Sequence, residues 1–138
     1  MRRLERFWSA IESMPGPAAV TAEWRRLLGP EFDLGAPLLR PRKELAASVP
    51  CPQQVGAMHR VVEHGPDDYV GVCSECCPTQ TLAKADITVY TLDRVALMQA
   101  VARAFDWPLQ MEYGEELPYA ERITVHVPTA GYRFPVYL

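Results

Sequence analysis

Apolar residues recur at helical spacing in two clear places. Leu4, Phe7, Trp8, Ile11 and Met14 make one stripe, which predicts an amphipathic helix over 2–14 closed by Pro15-Gly16-Pro17. Leu92, Val95, Met98, Val101, Ala102 and Phe105 make another, which predicts a helix over 92–105 with Thr91 as its N-cap and Trp107-Pro108 as its stop. A further helix is expected over 18–28, with Trp24, Leu27 and Leu28 inward and Gly29-Pro30 ending it. Elsewhere the period is two. Residues 59–64 and 69–72 read as paired strands joined by Gly65-Pro66-Asp67-Asp68, with proline at the second position of a type I turn. Ile87–Tyr90 is a short β-rich run, and Leu109–Tyr113 is a strand candidate. Over 122–127, Ile123, Val125 and Val127 alternate with Thr124 and His126. A turn at Thr129-Ala130-Gly131 then returns the chain as a partner strand over 132–138, where Pro135 marks an edge or a bulge.

These elements predict an α+β fold: N-terminal helices, a β-hairpin, one further helix and a small antiparallel C-terminal sheet. Residues 1–138 are expected to form one domain. Within it, 1–28 is helical and the proline-rich stretch 29–50 is an extended connection with a helical turn near Lys43–Ala47. Residues 51–77 form a cysteine-bearing insert. Residues 78–138 then supply a turn at Pro78–Thr81, a single helical turn at Leu82–Ala85, the long helix and the terminal hairpin.

At 138 residues and 49% hydrophobic, the chain can bury a core of its own. No run of about 18 apolar residues exists, so a membrane span is not expected. The start, MRRLERFWSAIESM, has no continuous apolar stretch of the secretory kind, so the expected compartment is the cytoplasm. Clustered thiols in a reducing compartment point to metal or redox chemistry rather than disulfides. The net charge is −3. Residues 1–45 carry eight basic and six acidic side chains, and the remainder six basic and eleven acidic. The overall basic field typical of nucleic-acid binding is absent, and only the N-terminal arginines offer a basic face.

All four cysteines and two of the three histidines lie between Cys51 and Cys77. Cys73-Ser74-Glu75-Cys76 has the two-residue spacing that lets both sulfurs face one ion, and zinc prefers thiolate and imidazole ligands in a tetrahedral set. Folding the hairpin brings Cys51 and His59 beside Cys73 and Cys76. This arrangement resembles the zinc-ribbon domains over residues 51–77. Ribbons carry a tight Cys-x-x-Cys in the first turn as well. Here Gln54 stands where the second cysteine belongs, and the next ligand candidate is His59. The expected set is Cys51, His59, Cys73 and Cys76, with Cys77 as a substitute for Cys76, holding a structural zinc ion. The competing reading is a group of small buried thiols with no metal. His64, near the hairpin tip, is a poor ligand candidate.

No phosphate loop, nucleophile elbow or kinase signature is present. The function expected from this pattern is a non-enzymatic adaptor or binding module with a protein partner, serving as a subunit or domain of a larger assembly. The alternative is a nucleic-acid-binding accessory domain, a role common among ribbons but disfavoured by the charge. Weaker readings are a zinc-dependent hydrolase using Cys51, Cys73 and Cys76 with Glu75 as acid/base, and a thiol redox protein built on Cys73 and Cys76. The first lacks the His-x-Glu partner of zinc deaminases; in the second, no helix follows Cys76 to activate a thiol.

Overall fold

The computed structural model describes residues 4–14, 16–73, 75, 79–106, 122–126, 129–131 and 134–137. It has helices and antiparallel sheets, an α+β architecture, and divides into two compact units, Met1–Leu92 and Asp93–Leu138. No helix among the described residues is long and apolar enough to cross a membrane.

In the first unit, α1 (Glu5–Ser13) buries Phe7 and Ala10, one turn apart, whereas Trp8 stays 37% exposed and meets Phe7 edge-on. Ala18–Val20, expected as helix, forms strand β1; the helix α2 starts only at Thr21 and runs to Leu28. Val20 is β-branched and nearly fully buried, so it favours the pleated strand over a helical turn. Trp24 and Leu28 of α2 are fully buried, and the indole Nε1 of Trp24 donates to the carbonyl of Tyr90 at 3.0 Å. The carboxylate of Glu31 accepts from the backbone N–H of Phe7 at 3.0 Å, satisfying a first-turn donor of α1.

Residues 29–50 are more structured than an extended connection. They hold 3₁₀ turns at Gly29–Glu31 and Ala36–Leu38, a short helix α3 (Phe32–Gly35), and strands β2 (Leu39–Leu45) and β3 (Ser48–Pro50). Prolines at the first turns of the two 3₁₀ segments start them without losing a needed N–H, so here proline begins structure rather than preventing it. The helical turn expected at Lys43–Ala47 is instead the end of β2 and the bend after it. Strand β2 pairs antiparallel with β7 (Thr88–Leu92), and β7 also pairs with β1, giving a three-stranded sheet in the order β1-β7-β2.

The second sheet has four strands in the order β3-β4-β5-β6, all antiparallel, with β4 at Met58–Gly65, β5 at Asp68–Val72 and β6 at Gln80–Leu82. The expected hairpin is β4–β5. Its turn carries Asp67 at φ +56°, which belongs to a type II turn rather than the type I expected. Gln80–Leu82, expected as a turn entering a helix, is the edge strand β6, and the helical turn α4 comes two residues later at Lys84–Ile87. One face of this sheet packs inward: Val49, Tyr69 and Leu82 form a core with Val20 and Ile87, joined by Ala46 and Val61.

In the second unit, helix α5 spans Arg94–Ala104 and buries Leu97, Met98 and Ala102. Its N-cap is Asp93, whose carboxylate accepts from the N–H of Ala96 at 3.0 Å. The expected cap, Thr91, lies within β7 and its hydroxyl donates to the carbonyl of Pro17 at 2.8 Å. Strands β8 (Arg122–His126) and β9 (Phe134–Tyr137) pair antiparallel, the small C-terminal sheet expected. The strand candidate Leu109–Tyr113 lies outside the described residues.

Candidate metal centre

The register of the four-stranded sheet explains how the site forms. Val49 of β3 sits opposite His59 of β4, and Cys51 follows two residues further along the same face. On the other side Arg60 pairs with Val72, so the next step of that ladder sets Cys73 across from His59. Alternation therefore aims Cys51, His59 and Cys73 at the inner face, at the same end of the sheet. Their ligand atoms all lie within 4.8 Å of one another. His59 is 2% exposed and Cys51 8%, while Cys73 is half-buried.

This geometry fits a metal ion. A tetrahedral centre with bonds of about 2.3 Å to sulfur and 2.0 Å to nitrogen separates its ligand atoms by roughly 3.5–3.8 Å, within reach of small side-chain rotations here. Burial of an imidazole between two thiols also removes competing water. The Cys51-His59-Cys73 cluster can thus bind a metal ion.

The two ligand-bearing turns are tied together. The backbone N–H of Cys51 donates to Ala57 at 2.9 Å and that of Ala57 to Gln54 at 3.3 Å, closing the first turn on itself. Gln54, which occupies the place of a ribbon's second cysteine, is exposed; its amide donates to the Glu75 carboxylate at 3.3 Å. That bond spans the gap between the turn at 51–57 and the turn after β5. Glu75 is exposed and occupied in this contact. His64 is exposed, in the irregular register between Glu63 and Gly65, on the hairpin arm away from the cluster. Cys76 and Cys77 lie outside the described residues.

Gly71, which bears no ligand or titratable group, also shapes the site. Gly71 pairs with Val61 and lies beneath the His59 ring: a Cβ at Gly71 would stand 3.1 Å from both Cβ and Nδ1 of His59. An isolated glycine inside a strand pattern is the signal for such a close approach.

Comparison of the chain with protein-family models, with curated proteins and with solved structures gives no match.

Proposed function

We propose that this chain is a non-enzymatic binding module whose four-stranded sheet is locked by a structural zinc ion, and that it serves as an adaptor or subunit of a larger assembly. The ion is held by Cys51, His59 and Cys73, with Cys76 as the fourth ligand. The observation that carries this reading is the convergence of two thiols and a buried imidazole within 4.8 Å. Cys76 is assigned as the fourth ligand by the Cys73-Ser74-Glu75-Cys76 spacing, which lets both sulfurs face one ion. Four protein ligands leave no position for substrate, which separates structural from catalytic zinc. Exposed apolar residues favour a protein partner: Val55, at the first turn, is 94% exposed, and Met58 and Val72 lie on the outer face of β4 and β5 at 44% and 37%.

Cobalt(II) substitution tests this reading. The expected result is the intense visible absorption of tetrahedral thiolate-bound cobalt, displaced by zinc and unmoved by azide or cyanide. The weak spectrum of hexaaqua cobalt, or bands that shift with azide, contradicts a closed structural site.

A further inference from the structure

A zinc-bound imidazole nearly always donates its second ring N–H to a fixed acceptor, which sets the ring's tautomer and orientation and raises its basicity. Resting on the metal reading above, we infer that Gln80 is the positioning residue for His59, its side-chain oxygen accepting from the imidazole nitrogen that faces away from the ion. Three observations converge. Gln80 is the cross-strand partner of Gly71, so their α-carbons face the same inner side of the sheet. Gly71 has no side chain, and the space above its α-carbon is taken by the His59 ring, with Nδ1 and Cβ each 3.1 Å from where a Cβ would stand. The ring therefore reaches toward the β6 side of the sheet, where Gln80 sits. Finally, the Oε1 atom of Gln80 is buried and has no hydrogen-bond partner among the described residues. A buried amide oxygen without a donor is costly, and β6 is an edge strand on which an exposed Gln would bear no such cost. Rotation of the amide toward the ring satisfies it. The flanking inward residue Leu82 supplies no polar alternative, and contact of its Cδ1 with the same space at 3.3 Å closes the pocket on that side.

The assignment gives each ring nitrogen a separate task. Nδ1 is shut off from solvent; on this assignment it is the donor to Gln80, and Nε2 is left to the metal. Gly71 is the gap through which the contact is made.

The test uses the full chain with zinc as the probe, in wild type, Gln80→Leu and Gln80→Glu. Zinc affinity is measured by competition with a chromophoric chelator, and the His59 tautomer by nitrogen-15 correlation spectra of the histidine ring. Gln80→Leu is expected to weaken zinc binding about 10- to 100-fold and to lose the slowly exchanging ring proton. Gln80→Glu, which keeps an acceptor, is expected to hold both. If Gln80 merely filled space, Gln80→Leu would alter the thermal stability of apo and zinc forms alike and leave the affinity unchanged. One equivalent of zinc bound with unchanged affinity in Gln80→Leu overturns this assignment alone. A wild-type chain that takes up no zinc overturns the metal reading and the assignment with it.

Discussion

His59 lies directly against the bare α-carbon of Gly71, so close that a methyl group there would stand 3.1 Å from two of its atoms. Gly71→Ala introduces no unfavourable φ, because this glycine is not in the left-handed region. The penalty is steric alone. The substitution is expected to cost about 1–3 kcal/mol, as overpacking does, and to push the ring away from Cys51 and Cys73. Thermal melts with and without added zinc check this: the variant should lose most of the stabilisation that zinc confers.

The ligand set separates by substitution. His59→Ala and Cys73→Ser should each abolish tight zinc binding and lower the melting temperature, since a structural site contributes roughly 10 kcal/mol or more of apparent binding energy to folding. Cys77→Ser should do little. The opposite pattern, with metal released by Cys77→Ser and retained by His59→Ala, would mean a cluster built from the cysteines alone.

Removal of the metal should act locally. Cys51, His59 and Cys73 lie at the open end of β3, β4 and β5, whereas α5 belongs to the other compact unit. On addition of chelator, hydrogen exchange should rise first over residues 48–73, with residues 94–104 still protected. Simultaneous loss of protection in both regions would contradict a local role.

A core contact made by none of the candidate ligands supplies the control. Trp24→Phe removes the donor to the Tyr90 carbonyl, which links α2 to the central strand of the three-stranded sheet. The expected cost is about 1–3 kcal/mol, with zinc stoichiometry unchanged, as measured by chemical denaturation and metal analysis of the same sample.

The β4–β5 hairpin was legible because period-two alternation and a proline turn are local signals, and the convergence of Cys51, His59 and Cys73 followed once that hairpin was drawn. Other features depend on pairing partners that local pattern does not reveal. Ala18–Val20 and Gln80–Leu82 are three-residue strands, too short to display a period, and each is a strand because a neighbour pairs with it. Thr91 and Asp93 are both competent caps; the pairing of Thr91 with Ala18 and Arg40 in β7 left the task to Asp93. Gly71 carries a local signal, an isolated glycine within a strand, but Gln80 is brought to it only by the β5–β6 register, which nothing in a single strand encodes.

Metal analysis of the purified protein shows whether thiolate and imidazole hold a zinc ion in this chain. Inductively coupled plasma mass spectrometry on protein never exposed to chelator should find about one equivalent of zinc per chain, lost in the His59→Ala and Cys73→Ser variants. Zinc below about a tenth of an equivalent in the wild-type chain would rule out the metal site and leave Cys51, His59 and Cys73 as two thiols and an imidazole packed on the sheet's inner face without an ion.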